Sequence, residues 1–213
     1  MRPTPPRRLP IVRSPTTPAT RSGPDRVQTA QGRSTHGSIA GVVFSQFETD
    51  VKVRRAVPDD ARGIVAVLAI VIDERVHSAI DRVWSVEEER RYLESLSARE
   101  VIHVAVNDAD RVVGLQILDR WSAVLDSMAH VGQVGTFLLP AWRGRGIGRE
   151  LWNATVAFAR EARYQKLLAQ VRATNAHAQS FYLRLGFAEC GRLSRQVIID
   201  GSHDDEILME LFL

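Results

Sequence analysis

The sequence predicts a mixed α/β fold, and three observations carry the prediction. From Val51 onward, short stretches that alternate or run apolar, such as "VIHVAV" and "LLAQVRA", recur along the chain. Between them lie segments whose apolar residues return with the period of one helix face. Gly, Pro, Asn and Asp mark the changes between the two patterns. Read in order, the elements are β α α β β β α β α β β, a mixed sheet covered by helices.

"VKVRRAV" alternates as a first strand, and Pro58 and Asp59 then open a helix that buries Ile64, Val65, Leu68, Val71 and Ile72. Ser85 with Glu88 three residues later forms a capping box, starting a second helix that buries Leu93 and Leu96. Residues 101 to 106 and 111 to 118 are two strands joined at "NDAD", and "HVGQVGTFLLP" is a longer strand ending at Pro140. A third helix places Ile147, Leu151, Ala154, Phe158 and Ala162 on one face. "LLAQVRA" is a buried strand, and Asn175 caps a fourth helix with Ala178, Phe181, Tyr182 and Leu185 inward, stopped at Gly186. "GFAECGRLSRQVIID" and "DDEILMELFL" close the chain as strands around a polar turn at 200 to 205.

Of 213 residues, 45% are hydrophobic and 25% charged, and no apolar run reaches the ~18 residues of a membrane span. The net charge of +3 hides a split. Residues 1–47 carry seven arginines against the single acid Asp25, together with seven of the nine prolines. They read as a disordered basic arm, followed by one domain over 51–213. The remainder holds 21 basic and 24 acidic residues, so the domain itself gives no support to a nucleic-acid partner. Prolines at 3, 5, 6, 10, 15 and 18 oppose the amphipathic helix of a transit peptide, and there is no apolar core of a secretory signal. The single cysteine, Cys190, excludes internal disulfides, suits a reducing cytoplasm, and reads as a small buried hydrophobe. His103, His130, His177 and His203 form no pair with metal-ligand spacing and acidic support, so no metal is expected.

The most informative stretch is "PAWRGRGIGRE", Pro140 to Glu150, lying between a strand and a helix. Such a turn gathers free backbone N–H groups and the positive end of the helix dipole around one point, a cradle for an anion. Arg143 and Arg145 add charge suited to a diphosphate. A nucleoside-triphosphate loop would end in Gly-Lys-Ser/Thr, whereas this one ends "GIGRE". A dinucleotide fingerprint needs Gly-x-Gly-x-x-Gly, whereas Gly144, Gly146 and Gly148 are spaced by two throughout.

What remains is Arg-x-x-Gly-x-Gly at Arg143, Gly146 and Gly148, followed about 30 residues later by "NAHAQSFYLRLGF". The two motifs together resemble the GNAT superfamily of acyl-CoA-dependent N-acetyltransferases. The C-terminal "RLSRQVIIDGSHDDEILMEL" is similar to the phosphinothricin and L-amino acid N-acetyltransferase group. The resemblance covers roughly 51–213 and implies a central, mixed, mostly antiparallel sheet of about seven strands flanked by four helices. It implies acetyl-CoA as acyl donor, with residues 143 to 148, that is Arg143, Gly144, Arg145, Gly146, Ile147 and Gly148, holding the pyrophosphate. Thr136, Phe137 and Leu138 would offer backbone groups to the pantetheine amide and the thioester, with the Leu138 amide serving the oxyanion. Asn175 would contact the pantetheine arm, and Tyr182 would protonate the departing thiolate.

In the similar subgroup a Glu stands ten residues before the loop arginine; here that position is Gln133, which cannot act as a base. An α-amine of pKa ~8 is about 10% neutral at pH 7, whereas a lysine-like amine of pKa ~10.4 is neutral to about 0.04%. The expected acceptor is therefore a small molecule with an amino-acid-like or weakly basic amine near Gln133, its proton removed by a water chain or His130. Asp73, Glu74 and Asp126 are candidates for attracting an ammonium group. Two other readings are a protein acetyltransferase acting on N-termini or lysines, and a non-catalytic acyl-CoA sensor. The exposed edge of the C-terminal strands also offers a homodimer contact.

Overall fold

The computed structural model describes residues 51–213, so the arm expected over 1–47 lies outside the described residues. Seven strands form one sheet in the order β1-β2-β3-β4-β5-β7-β6. The first half is a meander of β1 (Val51–Arg55), β2 (Val101–Asn107), β3 (Val112–Arg120) and β4 (Val131–Leu138). The second half is β5 (Lys166–Arg172), β7 (Ser202–Phe212) and β6 (Ala188–Ile199). Every pairing is antiparallel except β4 with β5, which is parallel.

Helices α1 (Ala61–Asp73) and α2 (Val86–Ser95) cover one face of the sheet. Val67 and Leu68 of α1 and Leu93 of α2 pack there against Ile102, Val104, Leu115 and Ile117. Helices α3 (Ile147–Glu161) and α4 (Ala176–Arg184) belong to the opposite face, with Trp152, Phe158 and Tyr182 against Val134, Leu167, Val171 and Met209. Because strand side chains alternate, β4 sends Gln133, Gly135 and Phe137 to the α1/α2 face and Val134, Thr136 and Leu138 to the α3/α4 face.

Most local signals operate as read, although on α1 Val67 is buried in place of the expected Val65, which is only half-buried. The Ser85 hydroxyl accepts from the Glu88 amide, and the Glu88 carboxylate accepts from the Ser85 amide. The helix opened at Pro58 starts with a 3-10 turn over Pro58–Asp60 before α1 proper. On α3 the buried stripe is rotated from the expected one: Trp152 and Thr155 are buried where Ala154 and Ala162 are only half-buried. Thr155 sits inward because it meets His103 of β2, Nδ1 to Oγ1 at 3.0 Å.

Cys190 differs from expectation in being exposed. The β6–β7 register shifts between Glu189 and Gly191, and this bulge takes Cys190 out of the ladder. Residual burial and the Glu210 carboxylate raise its thiol pKa, so it stays a thiol.

His103 is buried at 5% exposure, and that burial, with Arg55 nearby, pulls its pKa down to about 4. The unfolded chain then takes up the proton first, near pH 6.5. Stability is full above that pH and is lost as the pH falls towards 4, at up to about 1.4 kcal/mol per pH unit. Urea midpoints measured from pH 7 to 4 should fall with this slope, and His103→Gln should flatten it. At Gly132 an added Cβ would lie 2.8 Å from Leu118 and 2.9 Å from Leu167. Gly132→Ala should therefore cost about 1–3 kcal/mol in the same experiment.

Candidate active site

Strands β4 and β5 pair only from Val131↔Lys166 to Gln133↔Leu168. Beyond that point β4 stays with β3 as far as Gly114↔Leu138, while β5 stays with β7 as far as Arg172↔Glu206. The two halves of the sheet therefore part. The edge of β4 that faces the opening can be read from the ladder. The Leu139 amide donates to the Val113 carbonyl, so alternate residues Gln133, Gly135 and Phe137 also turn their backbone groups to β3. Val134, Thr136 and Leu138 turn theirs into the gap.

Of the three residues expected to offer backbone groups, Thr136 and Leu138 thus face the opening. Phe137 instead pairs with Leu115, and its side chain packs against the α1/α2 cluster. The correction follows from the two-residue period of a strand, which cannot present three successive residues to one edge.

Tyr182, buried at 4% exposure, reaches this edge from α4. Its hydroxyl lies 3.1 Å from Thr136 Oγ1. Burial pushes its pKa up to about 12. Thr136 Oγ1 accepts in turn from Gln116 Nε2 at 2.8 Å, while Gln116 Oε1 is buried without a partner among the described residues. Sequence reasoning missed this Gln116–Thr136–Tyr182 line. The available signal was one amide side chain inside the otherwise apolar "VVGLQIL".

The glycine loop follows β4 through a 3-10 turn at Pro140–Trp142. Gly144 (φ 73°) and Gly146 (φ 85°) are left-handed, and an added Cβ at either would meet nothing within 4 Å. The Arg143 amide donates to the Pro140 carbonyl, but the amides of Gly144, Arg145, Gly146, Ile147 and Gly148 find no backbone acceptor among the described residues. Consecutive unpaired N–H groups at the start of α3, opening on free space, fit a pyrophosphate. Gly148 is needed for a different reason: its Cβ would stand 3.0 Å from the Phe181 ring, so it lets α3 approach α4.

The two arginines behave differently. The Arg145 guanidinium lies over the Trp142 ring at 5.2 Å and is exposed. Arg143 Nε donates to the Leu138 carbonyl at 3.0 Å, and its two terminal nitrogens bond Glu74 at 2.9 and 2.5 Å. The expected charge for a diphosphate is therefore already paired at Arg143. Glu74, expected to attract an ammonium group, is the partner, and this contact holds its carboxyl below the usual range. Asn175 shows a similar double use. Its Oδ1 accepts from the Ala178 amide at 3.0 Å as a helix cap, and its Nδ2 donates to the His77 carbonyl at 3.1 Å. Both motif residues thus fasten the segment that follows α1.

Gln133 is half-buried on the α1/α2 face, where its Nε2 donates to Gln170 Oε1 at 3.4 Å. His130 precedes β4 with its side chain exposed, below the region where the strands part. Asp73 and Asp126 are exposed as well. Among the described residues no group of three or more His, Cys, Asp or Glu could hold a metal ion, and no helix is long and apolar enough to cross a membrane.

A family model described as "Acetyltransferase (GNAT) family" matches residues 65–187, which span β4, the glycine loop and the Asn175–Tyr182 helix. The chain belongs to the acetyltransferase (GNAT) family. The loop amides that find no backbone acceptor form a cradle that fits the pyrophosphate of an acyl-CoA. Among solved structures, this GNAT chain is similar to a phosphinothricin acetyltransferase from Sinorhizobium meliloti in complex with AcCoA. Identity is 19% and the TM-score 0.71, over 77% of this chain and 89% of that one. A ribosomal-protein-alanine N-acetyltransferase from Brucella melitensis aligns at 23% identity and TM-score 0.70, over 76% and 99%. A GNAT-family acetyltransferase from Streptococcus pneumoniae aligns at 22% and 0.70, over 76% and 99%. No curated protein matches the sequence.

At Gly146 an L side chain must hold a left-handed backbone, at about 1–2 kcal/mol. Gly146→Ala should weaken acetyl-CoA about 5- to 30-fold in calorimetric titration. Arg145→Ala should weaken it less, and that loss should shrink as salt rises, because the removed charge is exposed.

Proposed function

We propose that the protein transfers the acetyl group of acetyl-CoA to the amine of a small, amino-acid-like or weakly basic acceptor, by direct attack in a ternary complex. The observation that carries this reading is the parted β4 edge. The Leu138 N–H points into the gap, where it would donate to the oxyanion that forms at the carbonyl. Tyr182 stands two residues back at Thr136, where it would give its proton to the departing thiolate. The amides of residues 144 to 148, with Arg145, would hold the pyrophosphate. Arg143 would act by keeping the Leu138 carbonyl and Glu74 in place, and Asn175 would meet the pantetheine arm while holding His77.

The acceptor would enter on the α1/α2 face, beside Gln133. An amide there accepts an N–H from the amine without removing the proton, which supports an acceptor that is already partly neutral. At pH 7 an α-amine should outrun an ε-amine of similar size by about 200-fold in kcat/KM, the ratio of their neutral fractions. Gln133→Glu should narrow that gap. A panel of amino acids and amines, followed by thiol release and product mass, reads this directly. Equal turnover of ε-amines would sink the small α-amine reading. Turnover of peptides alone would favour a protein substrate, and tight acetyl-CoA binding without any transfer would favour a sensor.

Tyr182→Phe should lower kcat by about 100-fold or more while leaving acetyl-CoA affinity nearly unchanged. Because burial raises the Tyr182 pKa to about 12, its proton stays in place throughout the neutral and mildly alkaline range. The wild-type rate should show no alkaline limb from this group below about pH 10, and Tyr182→Phe should keep the wild-type profile shape at a lower level.

A further inference from the structure

Beyond Gln133, a line of polar side chains continues across the sheet on the same face. Gln133 Nε2 donates to Gln170 Oε1, and Gln170 Nε2 donates to Glu206 Oε2 at 3.1 Å. The three residues sit on adjacent strands β4, β5 and β7, and all point to the α1/α2 face. Glu206 is buried at 3% exposure. The charged groups acting on it are Arg172 from β5 and Asp204 on its own strand, with Leu193 opposite on β6. Arg172 is itself committed to Asp204 through Nε at 2.8 Å and to the Arg75 carbonyl. Among the described residues the hydrogen-bond partner of the Glu206 carboxylate is the Gln170 amide, while Arg172 acts on it through charge.

We propose that Glu206 is a positioning residue that acts through Gln170 to turn the Gln133 carbonyl oxygen towards the acceptor amine. An ionised carboxylate can only accept, so Gln170 must present its NH2 to Glu206 and its oxygen to Gln133. Gln133 must then present its NH2 to Gln170, and its Oε1, with no partner among the described residues, is left to accept an N–H from the acceptor. A protonated Glu206 could donate instead, and both amides would then be free to turn over, presenting NH2 to an amine that needs an acceptor. Burial raises the Glu206 pKa, so this turnover sets in at a higher pH than it would for an exposed carboxylate. The oriented state is complete above the raised pKa and is lost on falling through it.

This inference rests on the proposed amine acceptor, but the orientation of the amides can be read without turnover. In 15N-labelled protein the side-chain NH2 signals of Gln133 and Gln170, identified by their loss in Gln133→Ala and Gln170→Ala, should shift together with one shared midpoint as the pH is lowered. That shared midpoint should vanish in Glu206→Gln. With an amine that wild type acetylates, Glu206→Gln should raise KM about 5- to 10-fold, the value of one oriented hydrogen bond, with acetyl-CoA affinity unchanged. Adding Gln133→Glu to Glu206→Gln should restore amine affinity, because a carboxylate at 133 accepts in either orientation. If Glu206→Gln does not fold, Glu206→Asp, which moves the carboxylate away from Gln170, should shift the midpoint and raise KM in the same way. Independent titration of the two amides, or a midpoint that survives Glu206→Gln, overturns the proposal. If the amides titrate together but no amine is acetylated, the line stands and the proposed acceptor fails.

Discussion

Parallel pairing between β4 and β5 ends at Gln133 and Leu168, and the rest of the site is arranged around that end. Each strand has a better partner on its other side. β4 follows β3 to Leu138, and β5 follows β7 to Glu206, so twist accumulated in the two half-sheets draws the strands apart. Backbone groups of Thr136 and Leu138 that a closed sheet would pair are left facing an opening. Buried N–H and C=O groups demand partners. Here Arg143 meets the Leu138 carbonyl, and the Leu138 amide still faces the opening.

The opening is spanned by polar side chains. On the α3/α4 face the span is Gln116–Thr136–Tyr182; on the α1/α2 face it is Gln133–Gln170–Glu206. A buried polar line of this kind is costly unless satisfied, and when satisfied it fixes each member's orientation. The segment after α1 is fastened beside the opening by Glu74 to Arg143, by the His77 carbonyl to Asn175 and by the Arg75 carbonyl to Arg172. Arg143 and Asn175 come from the two motifs at the glycine loop and α4, and both also hold the segment that follows α1.

Much of the fold was legible because its signals are local. The Ser85–Glu88 capping box, the Asn175 cap, the positive-φ glycines of the loop and the apolar periods of α1 and α4 depend on neighbours a few residues away. The α3 stripe was read about one position off because Thr155 turns inward to a partner, His103, 52 residues distant. Cys190 was read as buried because the bulge that exposes it arises from the β6–β7 register rather than from its own surroundings.

The same division runs through the site. By itself the sequence determined the glycine loop as an anion cradle, through spacing and residue type, and it pointed to Asn175, Tyr182 and Gln133 through the resemblance to the GNAT superfamily. Only the tertiary structure decided that Phe137 turns away while Thr136 and Leu138 face the gap, and that the Arg143 charge is bound by Glu74. It alone joined Gln133 to Glu206 across three strands. These outcomes depend on which strand edge is left unpaired and which distant carboxylate arrives beside a given cation. Strand pairing sets both, through contacts between residues that local sequence does not link.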